Sequence, residues 1–216
     1  DLRAIAKCVQ GHETVILLRD RKYRVLLRSA CETLVHGHEK DSLGGFAVGL
    51  ERAYEFFVRV SAHAYGLSDE VLGRTWRLMA VQSERQFGAF CFLYAMVMGR
   101  AFDLPQPYSE MRNKVVHKGY IPSRQEALCF AATAVRLVDD VTLACRSLGL
   151  AHLNAVDELS WKELESELTG DASFVWSAVG SADVGSTTTF SDEPDLDLIL
   201  KSWIRNFEPQ TSTIGS

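Results

Sequence analysis

Paired cysteines are absent from this chain of 216 residues. The five cysteines are odd in number, and no two of them are separated by only two residues. This scatter argues against a disulfide framework and against a structural zinc site. Four of the five lie in apolar helical patterns, so we predict reduced, buried thiols and a cytoplasmic protein. The cysteines are Cys8, Cys31, Cys91, Cys129 and Cys145.

Long hydrophobic runs are absent as well. The longest apolar stretch, residues 87–98, has only about a dozen residues, whereas a membrane-spanning helix needs about 20. We expect no signal peptide either. We therefore predict no membrane partner, and we expect residues 83–99, which are apolar on nearly all sides, to form the central helix of the fold.

A strong excess of basic charge is also lacking. The net charge is -5, but it is divided unevenly along the chain. Residues 1–150 contain 20 Lys and Arg against 16 Asp and Glu, which gives +4, and residues 151–216 contain 3 against 12, which gives -9. A mildly basic body is compatible with RNA binding without requiring it. The acidic tail is either a solvated linker or a segment that covers a basic groove and restrains activity.

Motifs for the common cofactors are missing. The chain has no glycine-rich phosphate loop, no Gly-x-Ser-x-Gly elbow and no set of kinase motifs. His36, His38 and Glu39 form a local cluster, but residues two apart on a helix do not share a face. We therefore predict no metal site and no cofactor.

Helical periodicity dominates what is present, and we predict an all-α fold. Residues 1–150 are expected to form a helical domain, after an irregular lead-in at residues 1–10 and with a break at residues 37–45. Residues 151–216 are expected to form an acidic, partly disordered extension with short helices at 161–168 and 196–207 and a flexible linker at 180–194. Within the domain, helices are predicted at residues 15–35, 46–65, 68–79, 83–99, 109–118 and 123–148.

The segment 108–127 contains the most informative residues. Arg112 and His117 are five positions apart, and Asn113 follows the arginine. Arginine binds phosphate through a planar fork, and histidine exchanges protons near neutral pH. The pair therefore suits metal-free phosphodiester chemistry on RNA, whose 2'-hydroxyl is a built-in nucleophile. Five residues rotate a helix by about 500°, which leaves the two side chains about 140° apart. The offset fits a site completed by a second motif or by a distorted helix end.

The sequence Arg-Asn-Lys-Val-Val-His-Lys-Gly-Tyr-Ile-Pro at residues 112–122 resembles the Arg-x4-6-His motif of the HEPN superfamily. The resemblance is strongest over residues 108–145, diffuse over 14–107, and does not cover 151–216. It implies a HEPN-like helical bundle that forms a homodimer, in which two motifs meet as one composite ribonuclease site. Many members of the family act in toxin–antitoxin or antiviral defence systems.

The resemblance also implies roles for individual residues. Arg112 would bind the scissile phosphate, and His117 would act as general base or acid. Asn113 would orient the phosphate or His117 by hydrogen bonding. The expected products are a 2',3'-cyclic phosphate and a 5'-hydroxyl. RNA would be the substrate, and an antitoxin or regulatory protein a further partner. Lys114, Lys118 and Tyr120 would contact the RNA.

Two other interpretations stay open at this point. Some family members have lost catalysis, so the chain could be a HEPN-like module that binds nucleotide, RNA or a protein partner. Alternatively, it could be a plain helical interaction protein in which the spacing of Arg112 and His117 is a coincidence.

Overall fold

The computed structural model describes residues 3–7, 9–11, 13–166 and 173–177. The chain divides into two compact units, and each is described by itself. Residues 22–158 form a helical unit, whereas the other unit contains three short strands and the last turns of the final helix. The linker predicted at 180–194 and the helix predicted at 196–207 lie outside the described residues. The division predicted at residue 150 stays a prediction.

The fold is predominantly helical, which confirms the predicted all-α class. None of the helices in the part of the chain that the structure describes is both long and apolar enough to cross a membrane. The helices are α1 (Lys22–Val35), α2 (Glu39–Ala64), α3 (Asp69–Met79), α4 (Ser83–Met98), α5 (Gln106–Lys118), α6 (Arg124–Ser147) and α7 (Leu150–Ser166). The strands are β1 (Arg3–Lys7), β2 (Glu13–Leu18) and β3 (Ser173–Ser177).

The three strands form one small sheet in the order β1-β2-β3. β2 pairs with β1 in antiparallel fashion and with β3 in parallel fashion. The predicted helix at 15–35 is therefore wrong over residues 15–21, since residues 15–18 belong to β2 and α1 begins at Lys22. The run Val-Ile-Leu-Leu at 15–18 fits a half-buried strand as well as a helix, and its pairing with β3 is too distant in sequence to be predicted.

Helix α2 is the centre of the helical unit and packs against α1, α4, α5 and α6. The predicted break at residues 37–45 is wrong over most of its length, because α2 starts at Glu39 and continues through Gly44 and Gly45. Gly45 has a packing role, since a Cβ atom there would lie 2.9 Å from the Cβ of Ala30 on α1. The glycine that looked like a helix breaker therefore allows two helices to approach closely.

Helix α4 forms at the predicted position but is not the central helix. Only Phe90 and Tyr94 are buried on it, whereas Phe92 is 71 % exposed and Met96 is 55 % exposed. We predicted a central helix because α4 is apolar on all sides. Among the described residues of the helical unit, however, none packs over its outer face and buries it. The inner face joins an aromatic cluster in which Phe90 stacks on Tyr54, with ring centroids 4.2 Å apart.

The predicted helix boundaries are confirmed where capping residues mark them. Ser68 caps α3 by accepting a hydrogen bond from the backbone N–H of Val71, and Ser123 and Glu126 form the predicted capping box of α6. Over residues 161–166, the short helix predicted at 161–168 is instead the end of α7, which begins at Leu150. Its earlier turns bury Leu153 and Val156, a tertiary contribution that local sequence patterns do not reveal.

Candidate functional site

Helix α5 holds the Arg-x4-His motif. The sequence predicts Ser109 as the N-cap, but the N-cap lies four residues earlier, at Pro105. Pro107 is in the first turn, where the missing N–H costs nothing. The helix ends at Gly119, which adopts φ +67°. Tyr108 and Val115 are its two buried residues and fix which side of the helix faces the bundle.

Arg112 faces α2 and forms an ion pair with Glu51. Its Nη2 atom donates a hydrogen bond to Glu51 Oε1 at 2.6 Å, and the two side chains are 28 % and 27 % exposed. The second guanidinium nitrogen, Nη1, lies 3.5 Å from Asn113 Oδ1, at the limit of a hydrogen bond. Partial burial and a charge-assisted bond together hold the guanidinium in place.

The Arg112–Glu51 pair lies at a cleft of about 270 Å³ between α2, α4 and α5. One part of the lining is apolar and includes Leu50, Phe87 and Leu104. The other part is polar and includes Asn113 beside the ion pair. An apolar wall with a few polar groups is the usual composition of a small-ligand site. The remaining lining residues are Ala47, Tyr54, Ser83, Glu84, Gln86, Tyr108 and Ser109.

Two buried tyrosines contribute to the wall of this cleft. The hydroxyl groups of Tyr54 and Tyr108 are buried and have no hydrogen-bond partner among the described residues. Burial raises the pKa of both hydroxyls above the ordinary value for tyrosine, so both remain neutral donors. The ring of Tyr108 stacks on Phe130, with centroids 4.2 Å apart. These rings are rigid parts of the cleft wall.

His117 lies away from the cleft. It is exposed in the last turn of α5, and its ring makes no hydrogen bond or ion pair with another described residue. Arg112, by contrast, lines the cleft. One chain therefore presents the two motif residues on different parts of its surface, as the rotation between them predicts. A proton-transfer site that uses both requires a second chain or a change in the end of α5.

The other predicted contact residues are on the surface around the end of α5. Lys114 and Lys118 are exposed, so both ammonium groups are available to a polyanion. Tyr120 is exposed too, but its hydroxyl donates to the carboxylate of Glu126 at 3.0 Å and so belongs to the start of α6. Within the described residues, no group of three or more His, Cys, Asp or Glu is arranged to hold a metal ion.

Sequence reasoning did not single out Glu51, although it makes the strongest polar contact with Arg112. The two residues are 61 positions apart, and Glu51 by itself looks like an ordinary solvated carboxylate next to the apolar stripe of α2. Tyr54 and Tyr108 were likewise missed as parts of a cleft. The one local feature that could have pointed to a role for Glu51 is its position directly beside the buried Leu50, and this feature is weak evidence.

Comparison of this chain with protein-family models, with curated proteins and with solved structures finds no match.

Proposed function

We propose that this protein is a metal-independent endoribonuclease of the HEPN type whose active site is completed by a second copy of the chain. The observation that carries the proposal is the placement of Arg112, which is fixed at a cleft by Glu51, while His117 is exposed on the same helix. Such an arrangement supplies a phosphate ligand and a proton-transfer group that can meet across a two-fold axis. RNA and a homodimer partner follow from this proposal.

The proposed chemistry needs only side chains. Arg112 uses N–H groups that Glu51 leaves available to bind the scissile phosphate and stabilise its developing negative charge. A neutral His117 takes the proton of the 2'-hydroxyl, and the 2'-oxygen forms a bond to phosphorus. The bond from phosphorus to the 5'-oxygen breaks, and the same His117, now protonated, donates the proton to that oxygen. The products are a 2',3'-cyclic phosphate and a 5'-hydroxyl.

Further residues of α5 have supporting roles in this proposal. Asn113 orients Arg112 or the phosphate, as its contact at 3.5 Å with the guanidinium supports. The exposed ammonium groups of Lys114 and Lys118 attract neighbouring phosphates, and Tyr120 contacts the RNA next to them. We further propose a cytoplasmic effector in a defence or toxin system, restrained by an antitoxin or regulatory protein.

The test is cleavage of total cellular RNA by the purified protein in EDTA, followed by analysis of the new ends. We expect cyclic-phosphate and 5'-hydroxyl ends, and a loss of at least 100-fold in rate for each of His117→Ala and Arg112→Ala. General acid–base catalysis by His117 typically contributes about 10²–10⁴-fold, and removing one charge-stabilising donor such as Arg112 typically costs about 10²–10³-fold. His38→Ala is the matched control, since His38 is also exposed and its side chain does not cap α2. Equal cleavage by wild type and His117→Ala would disprove the proposed site.

A second function is favoured by the Arg112–Glu51 ion pair itself. Because Glu51 already occupies part of the guanidinium beside a cavity, the chain could serve as a binding module for a nucleotide, RNA or a protein segment without catalysis. A measurement of RNA-probe binding, made on the same protein beside the cleavage assay, separates the two functions. Binding of an RNA probe without cleavage, from a protein that forms stable dimers, would favour the module.

A further inference from the structure

We infer that the cleft between α2, α4 and α5 binds one RNA base that has an exocyclic amino group, next to the phosphate held by Arg112. This inference rests on the proposed function and deepens it, because it names the nucleotides at which cleavage would occur. The cleft volume of about 270 Å³ is below the range of drug-sized pockets, so it suits a ligand as small as a single base.

The apolar wall fits the face of a base. Leu50, Phe87 and Leu104 line one part of the cleft, and Phe87 is held by an aromatic contact with Tyr54, with ring centroids 5.3 Å apart. Unpaired RNA bases bind proteins by inserting into such apolar and aromatic surroundings, where stacking and desolvation supply affinity. The wall therefore selects a flat, apolar face without selecting among the four bases.

Glu51 supplies the selection among bases. Its Oε1 atom accepts the hydrogen bond from Arg112, whereas Oε2 has no hydrogen-bond partner among the described residues. A carboxylate is an acceptor only. The amino groups of adenine, cytosine and guanine donate to such an acceptor, but uracil has carbonyl oxygens instead. Uracil can donate to the Glu51 carboxylate only through its ring N3–H, which lies between two carbonyl oxygens that the carboxylate repels, so we expect uracil to bind less tightly.

Neighbouring polar groups support this assignment. Gln86 is already engaged at both of its polar atoms, because its Oε1 accepts from Arg52 and its Nε2 donates to the carbonyl of Ala80. The amide N–H groups of Asn113, by contrast, have no acceptor among the described residues and can donate to a ring nitrogen or carbonyl of the base. The cleft therefore combines an acceptor in Glu51 with a donor in Asn113, which matches the mixed edge of an amino-bearing base.

The experiment is titration of the purified protein with AMP, CMP, GMP and UMP, followed by mapping of the cleavage positions on a synthetic RNA. We expect the three amino-bearing nucleotides to bind at least about tenfold more tightly than UMP, which corresponds to one good hydrogen bond. Glu51→Gln should reduce this discrimination to about threefold or less, because an amide offers a donor as well as an acceptor. Glu110→Gln, an exposed carboxylate on α5 outside the cleft, should change nothing.

Leu104→Trp provides a second variant that leaves the ion pair intact and fills the cleft. It should abolish nucleotide binding while the circular dichroism spectrum stays that of wild type, so the inference remains testable if Glu51→Gln fails to fold. RNA cleavage without base preference, together with equal binding of all four nucleotides, would overturn the inference and leave the ribonuclease proposal standing. Selective nucleotide binding without RNA cleavage would overturn the ribonuclease proposal and leave the base-binding cleft standing. If neither selective binding nor cleavage is observed, the inference and the ribonuclease proposal are both overturned.

Discussion

At the residue scale, Arg112 and Glu126 are charged side chains that are held in position by hydrogen bonds in two different ways. Arg112 is positioned by a carboxylate from another helix, so its environment depends on tertiary structure. Glu126 is positioned by its own neighbours, because its carboxylate accepts hydrogen bonds from Ser123 and from the hydroxyl of Tyr120. The second arrangement was predictable as a capping box, and the first was not.

The capping box makes a prediction about pH. The backbone N–H of Ser123, then its hydroxyl, then Tyr120 hold the pKa of Glu126 below its ordinary value of 4.5. A folded-state pKa that is lowered stabilises the protein above the ordinary pKa, and this contribution is lost as the pH falls through the folded-state pKa. We therefore expect Glu126→Gln to lower the melting temperature at pH 7 and to have less effect at pH 3.

Thermal unfolding of wild type and Glu126→Gln at pH 7, 4.5 and 3 measures this difference. Glu110→Gln is the control, because Glu110 is an exposed carboxylate whose partner is the side chain of Gln106. A difference between wild type and Glu126→Gln that is the same at all three values of pH would contradict the assignment, since the charge of Glu126 would then play no part in stability.

At the element scale, the contact between α1 and α2 depends on small residues. Ser42 supports the contact with a buried hydrogen bond from its hydroxyl to the carbonyl of Ala30. A Cβ atom at Gly45 would lie 2.9 Å from the Cβ of Ala30, which cannot move without its backbone, whereas a Cβ at Gly44 would meet nothing within 4 Å. Two adjacent glycines in one helix therefore have different roles.

This difference predicts opposite effects of the same substitution. Gly44→Ala should raise the free energy of unfolding by about 0.5–1 kcal/mol, because alanine loses less backbone entropy in a helix interior. Gly45→Ala has the same favourable entropy effect but overpacks the contact between α1 and α2, which typically costs about 1–3 kcal/mol. We therefore expect this substitution to lower the free energy of unfolding by about 1 kcal/mol. Urea denaturation with unchanged m-values measures both. Stabilisation by both substitutions would show that α1 can move away at little cost.

Helix α4 shows the limit of reading elements from composition. Its sequence predicted the position of the helix correctly because Ser83–Met98 is strongly apolar and ends at Gly99, which adopts φ +66°. The same composition predicted burial on all sides, whereas Phe92 and Met96 are exposed. A uniformly apolar helix has no polar side that marks solvent, so its orientation depends on which neighbours the fold provides.

At the scale of the whole molecule, the motif is divided between surfaces of one chain. Arg112 lines the cleft and His117 is exposed beyond it, and the proposed reaction needs both at one phosphate. If a second copy supplies the missing group, the active unit is a dimer, and the activity of one chain depends on the residues of its partner.

The composite site predicts complementation between inactive variants. Arg112→Ala and His117→Ala chains should each be inactive, but an equimolar mixture allowed to exchange subunits should regain cleavage, because a mixed dimer combines one intact arginine with one intact histidine. RNA cleavage by the mixture, compared with each variant alone at the same total concentration, is the measurement. Activity no greater than that of the separate variants would place the reaction within one chain or at other residues.

The sequence by itself determined the helical class, most helix boundaries and the motif residues. Apolar periodicity, capping by Ser68 and Ser123, and glycines at helix ends act over a few residues, so they can be read locally. Tertiary structure alone decided that residues 13–18 form a strand, that α2 and not α4 is central, and that Glu51 pairs with Arg112. Each of these depends on contacts between distant segments, whose free energy exceeds local preference and leaves no pattern in the neighbouring residues.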